Sequence, residues 1–223
     1  MGSLLTQMAL YGLAAAAAAP IALVLSALIL AQSKRPVASV WVFTAGAAFL
    51  DAAIIAIVLV VFGASAIGSG GEASAILDVI LGALFLLLGI SAIFAKESPE
   101  KDAKQRERAM RIASAPLIRM LIMGILVQVI NIDAIAVFGV GVKEIVVADV
   151  SSVEAAIALL FGLALMLVVY YGPVVAYQLS PTRAMPMLRA MSEWIMGHAR
   201  PLEIVTGGVL GAIFLFKGLA VLA

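Results

Sequence analysis

The stretch VASVWVFTAGAAFLDAAIIAIVLVVF, residues 37–62, is apolar along its length apart from Ser39, Thr44 and Asp51. A helix needs about 20 apolar residues to cross the roughly 30 Å hydrocarbon core of a bilayer. These apolar residues follow one another without the alternation that marks a strand of a membrane β-barrel. The stretch therefore predicts a transmembrane α-helix with one carboxylic acid near its middle.

The rest of the chain has the same character. Of the 223 residues, 65% are hydrophobic and 12% are charged, with a mean hydropathy of +1.20, whereas a soluble domain has about 25% charged residues. The chain is therefore expected to be an all-α integral membrane protein whose partner is the lipid bilayer. Six stretches are long enough to be spans: Leu4–Ala31, Val37–Phe62, Ala75–Ala95, Leu117–Val142, Val153–Leu179 and Pro201–Ala223.

The lysine and arginine residues predict the orientation of the spans, because cytoplasmic loops are enriched in both. Two basic residues separate the first two spans, seven lie around the segment between the third and fourth, and three separate the last two. The opposite side has Lys143, with Lys217 near the far end of the last span. We therefore expect both termini outside, in a multi-pass protein of the bacterial cytoplasmic (inner) membrane.

A charged segment, residues 97–116, divides the chain almost at its midpoint. Three predicted spans lie in residues 1–96 and three in residues 117–223, so the two halves have opposite orientations. Inverted repeats of this kind are a recurring transporter architecture, with the substrate site near the midplane where the repeats meet. The sequence therefore predicts six transmembrane helices arranged as two inverted three-helix repeats around a small-molecule or lipid substrate.

The composition argues against several functional classes. The chain has no cysteine, which removes disulfides and thiolate metal sites, and His198 is its only histidine. No glycine-rich phosphate loop and no nucleophile–base pair is visible. We therefore expect no metal site, no cofactor, no catalytic residue and no enzymatic activity. Because the basic residues are confined to a few loops, no nucleic-acid partner is expected.

Two carboxylates, Asp51 and Asp133, lie in the middle of predicted spans. An acid at the centre of a bilayer costs a few kcal/mol or more, so it should face a bundle interior, a partner or a wet cavity. Burial favours the neutral form of a carboxyl group, which suits reversible protonation. One interpretation is proton or cation coupling, or a counter-charge for a cationic group. The other is a protonated acid that only hydrogen-bonds helices together.

Two predicted spans contain residues that interrupt helices. In the fourth span, Gln128 and Asn131 share one helical face, and asparagine favours local hydrogen bonds that loosen a helix. In the first span, Pro20 removes a backbone donor at similar depth. Breaks at corresponding positions of two halves indicate a transporter site. Gln128, Asn131 and Pro20 therefore join the two acids as candidate substrate or coupling-ion residues.

Tyr170, Tyr171 and Pro173 are predicted to interrupt the fifth span. Proline favours a kink, and the two tyrosine hydroxyls could line a transport path or hydrogen-bond between helices. Residues 183–200 then have an amphipathic spacing, typical of a helix in the membrane interface with Trp194 at the headgroup level. The apolar side of this segment would carry Met185, Leu188, Met191 and Ile195.

Fragments spread over the whole chain carry a family resemblance. In order they are Pro20, Gly46 followed by Asp51, LGALFLLLGI at 81–90, and Gly124 followed by Asn131-Ile132-Asp133. Together they resemble the LysE-type (lysine exporter) superfamily of small six-helix exporters. The last third is most similar to the GAP or Sap-like branch, the glycolipid- or sulfolipid-addressing proteins. Its fragments are Pro173, SPTRA at 180–184 and KGL at 217–219.

The sequence departs from the superfamily pattern in the fourth span. The family's Asn-Pro-Lys is Asn131-Ile132-Asp133 here, which loses the proline and reverses the charge. A carboxylate-binding lysine is therefore not carried over, and plain amino-acid export is disfavoured. The branch resemblance implies export or trafficking of envelope lipids, often glycolipids, across the cytoplasmic membrane.

Three functional hypotheses follow. The first is a carrier that exports a lipid-linked or amphipathic metabolite, with Asp51 and Asp133 providing proton coupling or headgroup contacts. The second is an exporter of a cationic amino acid or a metal ion, which two buried acids would suit. The third is a non-transporting scaffold that holds a lipid-synthesis enzyme through the segment 97–116. Small-residue runs such as Ala14–Ala19 allow close helix contacts within one chain or in a homodimer.

Overall fold

The computed structural model describes residues 2–65, 72–94, 115–148 and 150–222, which form ten helices and no strand. The predicted all-helical class is confirmed for these residues. The segment 97–116 lies outside them except for its last two residues, so the division of the chain there stays a prediction. The helices are α1 (Gly2–Ala17), α2 (Pro20–Gln32), α3 (Pro36–Ser65), α4 (Glu72–Phe94), α5 (Leu117–Ile130), α6 (Ile132–Val147), α7 (Ser152–Met166), α8 (Val168–Leu179), α9 (Pro181–Gly197) and α10 (Ala199–Leu222).

Two helix breaks lie where the sequence predicts them. α1 and α2 meet at 66°, and α2 begins at Pro20, whose fixed backbone angle and missing N–H suit the first position of a helix. α5 and α6 meet at 76° at Asn131. The Asn131 N–H still bonds the carbonyl of Val127 at 3.0 Å, and its own carbonyl accepts from Ile135 at 3.2 Å. The backbone groups of this residue are therefore satisfied although the helix changes direction.

The fifth predicted span is also broken, but not where the sequence predicts. α7 ends at Met166 and α8 begins at Val168, with 68° between them, and Pro173 lies inside α8. A proline ring and its missing N–H disturb the turn on its N-terminal side. The break falls earlier still, at Leu167, beyond the carbonyl of Val169 that the missing N–H would have bonded. The two tyrosines therefore belong to a continuous helix and not to an interruption.

The described helices have membrane character. By length and composition α3 and α10 are each sufficient to cross a bilayer, and each bent pair is either one broken span or a re-entrant pair. That gives two to five candidate spans, against six predicted from the sequence. α4 contributes a shorter apolar segment, Asp78–Ser91. The number of spans, their orientation and their repeat symmetry therefore stay predictions.

Two helix crossings bring backbones into direct contact. α3 crosses α5 where Gly46 meets Gly124, and a Cβ atom on Gly46 would lie 2.1 Å from the carbonyl oxygen of Leu121. α1 crosses α7 at Gly12, where a Cβ atom would lie 2.5 Å from the carbonyl oxygen of Gly162. Small residues at such crossings let membrane helices gain van der Waals contact that lipid cannot replace.

α4 and α10 form a second tightly packed pair. A Cβ atom on Gly207 would lie 2.8 Å from the backbone of Gly89, and the rings of Phe85 and Phe214 stack with 5.8 Å between centroids. Among the described helices, α10 packs mainly on α4, and α4 in turn touches α6. This pair is therefore a unit of its own at one side of the bundle.

Charged side chains join the α4–α10 pair to α6. Lys143 Nζ donates to both carboxylate oxygens of Asp78 at 3.1 Å, and each residue is only 2% exposed. Lys217 Nζ lies 2.5 Å from Glu144 Oε1 and 3.8 Å from Asp78 Oδ2. We call these four residues the ionic cluster. Its two lysines balance its two acids, which offsets much of the cost of removing them from water.

The helix α9 confirms that the amphipathic segment is helical. Ala184, Leu188 and Ser192 form its buried stripe, and Trp194 is 55% exposed and stacks on His198. Of the residues predicted on the apolar side, Leu188 is buried, Met185 and Ile195 are half-buried and Met191 is 40% exposed. The placement of this side in the membrane interface stays a prediction.

Gly207→Ala is expected to loosen the α4–α10 pair, because the added methyl would meet the backbone of Gly89. Gly208→Ala is the matched control, since a Cβ atom there has no neighbour within 4 Å. Both substitutions gain about 1 kcal/mol of helix propensity. Thermal unfolding of the full-length protein in detergent should give a lower midpoint for Gly207→Ala only. Equal midpoints would contradict the backbone contact.

Asp78→Leu is expected to destabilise the fold by about 3–5 kcal/mol, because it removes the buried carboxylate that both lysines of the ionic cluster contact. Lys143→Met should have a similar effect through Asp78. The double variant Asp78→Leu/Lys143→Met removes both charges and should recover most of the loss. Unfolding by denaturant in mixed micelles measures the free energies, and simple additivity of the two losses would contradict a direct pair.

Candidate functional site at the α5–α6 break

A line of side-chain hydrogen bonds crosses the bundle at the α5–α6 break. Asn131 Nδ2 donates to the Tyr170 hydroxyl at 3.2 Å, and this hydroxyl donates to Gln128 Oε1 in a short hydrogen bond. Gln128 Nε2 donates to Asp51 Oδ1 at 2.6 Å. We call these four buried residues the polar chain. Hydrogen bonds that run in one direction strengthen one another. The polar chain ends at Asp51, which accepts its last hydrogen bond.

The second carboxylate oxygen of Asp51 has no such bond. Oδ2 is buried and without a hydrogen-bond partner among the described residues, and the ion pairs found in this part of the chain do not include Asp51. An unpaired buried carboxylate is costly. Oδ2 is therefore the atom of this site that is available to a proton or to a cation.

Asp51 also lies on the wall of a narrow crevice between α3, α6 and α7, with a volume of about 10 Å³. Such a volume accommodates about one water molecule. The crevice can therefore connect the acid with water or a proton, and it is too small for a lipid headgroup. Its other lining residues are apolar: Ile54, Ile55, Val58, Ile135, Phe138, Gly139, Val142 and Met166.

The two adjacent tyrosines have different surroundings. Tyr170 is 1% exposed, takes part in the polar chain and packs against Phe43 with 5.3 Å between ring centroids. Tyr171 is half-buried and stacks on Trp41 at 6.2 Å. The sequence treats both hydroxyls alike. The structure brings Tyr170 into the site and places Tyr171 against a different aromatic ring.

The remaining predicted residues lie at helix beginnings. Asp133 is half-buried in the first turn of α6, where its Oδ1 accepts the N–H of Ala134 at 2.9 Å. An acid in a first turn is stabilised by the positive end of the helix dipole. Asp133 does not line the crevice. Pro20 begins α2 at the first break. The structure therefore connects Asp51, Gln128, Asn131 and Tyr170 by hydrogen bonds. Asp133 lies two residues after Asn131 at the same break, and Pro20 lies at the first break.

The ionic cluster is the part of the interior that the sequence analysis misses. Asp78 lies inside the predicted third span without being singled out, and Lys143 is placed beyond the end of the fourth span, although α6 continues to Val147. A signal was present, because an acid in one apolar span and a lysine close to another can neutralise each other. Matching the charges between spans would have found the pair.

No group of three or more histidine or acidic side chains within the described ranges is arranged to hold a metal ion. The ionic cluster contains two acids, and each of them contacts a lysine. The expectations of no metal, no cofactor and no enzymatic activity stay predictions.

The comparison with known families gives one match. The family model described as "Sap, sulfolipid-1-addressing protein" matches residues 10–220, which include all three helix breaks, the polar chain and the ionic cluster. No curated protein and no solved structure matches the chain. The matched range covers nearly the whole sequence. The chain therefore belongs to the sulfolipid-1-addressing protein (Sap) family.

Proposed function

We propose that this protein exports an amphipathic, lipid-linked metabolite of the envelope glycolipid class across the cytoplasmic membrane, coupled to protons through Asp51. One observation carries the proposal: a buried acid ends the polar chain at a helix break and keeps one oxygen without a partner in the described part of the chain. Membership of a family named for addressing a sulfolipid supports lipid-related cargo. The resemblance to LysE-type exporters supports transport.

We propose six spans in two inverted repeats, with α4 as the third span and the three bent pairs as broken spans. Under such symmetry, a contact between spans 2 and 4 corresponds to one between spans 5 and 1, whereas spans 3 and 6 pair with each other. The crossings of α3 with α5 and of α1 with α7, both at glycines, support this scheme, as does the α4–α10 pair. The related first and fourth spans are both broken, whereas the fifth span is broken and the related second span, α3, is one continuous helix.

The proposed orientation has both termini outside and the basic segments in the cytoplasm. Asp51 lies near the middle of α3, which places it near the membrane midplane. The ionic cluster then lies in the outer half, because Asp78 is close to the start of α4 and Lys217 close to the end of α10. The helix α9 lies at the cytoplasmic surface.

The polar chain gives Asp51 a means to affect the fold around it. Its hydrogen bond to Gln128 connects α3 with α5, and Tyr170 continues the connection to α8 and to the break at Asn131. Loss or gain of a proton by Asp51 changes the charge at the end of the polar chain. The protonation of one side chain therefore acts on three helices and on the break between α5 and α6.

The proposal is tested by mass spectrometry of cells that lack the gene and carry either the wild-type copy or Asp51→Asn/Asp133→Asn. Surface lipids and intracellular pools are both measured without choosing a target in advance. The expected result is one lipid that is lost from the surface and accumulates inside cells carrying the variant. That lipid would be the cargo.

Two other outcomes would contradict the proposal. Accumulation of lysine or of a metal ion with unchanged surface lipids would indicate an exporter of small cations. Unchanged pools in the variant, in cells whose envelope changes when the gene is deleted, would indicate a scaffold for a lipid-synthesis enzyme. In the scaffold case, deletion of residues 97–114 should abolish function.

Asp51→Asn should abolish proton coupling without unfolding the protein, because asparagine keeps an acceptor for Gln128 and cannot take up a proton. In everted vesicles, a pH gradient should drive uptake of the identified cargo by the wild type but not by Asp51→Asn. Asp133→Asn should reduce uptake while the remaining activity still responds to the gradient. Full gradient-driven uptake by Asp51→Asn would exclude the coupling role.

Tyr170→Phe should reduce export and cost about 1–3 kcal/mol of stability, because it leaves the buried Gln128 carbonyl oxygen without its donor. Tyr171→Phe is the matched control, because it makes the same chemical change at the adjacent residue and keeps the ring that stacks on Trp41. Export assays and thermal unfolding should separate the two variants. Equal behaviour would show that the Tyr170 hydroxyl has no special role.

A further inference from the structure

A second cavity lies between the end of α2 and one face of α9, away from the polar chain. Its volume is about 280 Å³, compared with about 10 Å³ for the crevice at Asp51. Pockets for small molecules usually begin at about 300 Å³. At just under that size, the cavity has room for part of a lipid, such as a headgroup or the upper part of an acyl chain. The lining residues are Ala27, Leu28, Ala31, Gln32, Met185, Leu188, Arg189, Ser192, Glu193 and Met196.

The cavity has an apolar floor and a polar rim. Ala27 and Leu188 are buried below, with Met185 and Met196 half-buried beside them. Methionine side chains adapt to irregular apolar shapes. An elongated apolar group can therefore be accommodated at the floor while a polar group stays at the rim.

Three polar side chains lie at the rim of the cavity. Gln32, Arg189 and Glu193 are exposed, and none of them has a hydrogen bond or ion pair to the residues that the structure describes. Arg189 and Glu193 are one helical turn apart on α9, yet they do not form a pair. Arg189 offers a fork of donors for an anionic oxygen, whereas Glu193 and Gln32 can accept from hydroxyl groups.

The charge around this cavity favours an anion. Lys34 and Arg35 follow closely after Gln32, and Arg183 lies on the first turn of α9. These three basic residues are exposed. A basic surface beside a membrane raises the local concentration of anionic lipids.

We propose that the cavity between α2 and α9 is a cytoplasmic loading site for a lipid with an anionic, hydroxyl-bearing headgroup. Arg189 binds the anionic group, Glu193 and Gln32 bind hydroxyls, and the methionine-lined floor holds the start of an acyl chain. This inference rests on the proposed export function, because loading precedes transport. Binding is nevertheless measured without transport.

The test is photolabelling of the full-length protein in phosphatidylcholine vesicles. One preparation contains phosphatidylglycerol with a diazirine on its acyl chain, and the other contains phosphatidylcholine with the same group. Mass spectrometry then maps the labelled peptides. The anionic probe should label residues 27–32 and 185–196 about fivefold more than the zwitterionic probe, as one basic contact near the surface would give.

Two variants separate a built site from general surface attraction. Arg189→Gln should abolish the preference, whereas Arg183→Gln, on the same helix but outside the cavity, should retain it. Ala31→Phe fills the cavity without changing charge and should also abolish it. Equal labelling by the two probes, equal loss in both arginine variants, or full labelling of Ala31→Phe would each overturn the proposal.

The variant Asp51→Asn distinguishes failure of this inference from failure of the proposed function. It should keep the labelling preference and lose export. A preserved preference with intact export would overturn the coupling role and leave the loading site in place. An absent preference in the wild-type protein, with export that still depends on Asp51, would overturn the loading site alone.

Discussion

Lipid offers no hydrogen-bond partners, so every helix break at membrane depth must be covered by protein. Three breaks in one chain therefore impose a heavy demand on the surrounding side chains. At the α5–α6 break the demand is met by the backbone bonds of Asn131 and by the side chain of Tyr170, which Phe43 holds from α3. The buried tyrosine thus connects the break at Asn131 with the polar chain that ends at Asp51.

The interior contains two sets of polar residues, in which the cost of burying an acid is offset in different ways. In the ionic cluster, Asp78 lies against two ammonium groups and the net charge is balanced. In the polar chain, Asp51 accepts one neutral hydrogen bond and keeps a second oxygen without a partner among the described residues. Balanced charges stabilise a fixed contact between helices. Under the proposed function, an acid with a partnerless oxygen carries a proton, so pairing, more than depth, distinguishes the two acids.

Composition and single residues predict much of this arrangement, because they act locally. The apolar runs predict helices, Pro20 and Asn131 predict two breaks, and the spacing of Gln128 and Asn131 places both on the face that enters the polar chain. What one sequence does not reveal is which helices meet. The difference between Tyr170 and Tyr171, and the pairing of Asp78 with Lys143, depend on packing between distant segments. The break predicted at Pro173 likewise lies elsewhere, at Leu167.

The two cavities differ in size, and under the proposed function they serve different steps. At about 10 Å³ the crevice at Asp51 admits a water molecule or a proton and excludes a lipid headgroup, whereas the cavity at α9 is more than twenty times larger. In this conformation the acid therefore cannot recognise the cargo by contact. Under the proposed function, an effect of Asp51 on transport passes through the helices that its hydrogen bonds connect. The proposal then assigns cargo selection to the end of the bundle at α9 and energy coupling to its apolar middle.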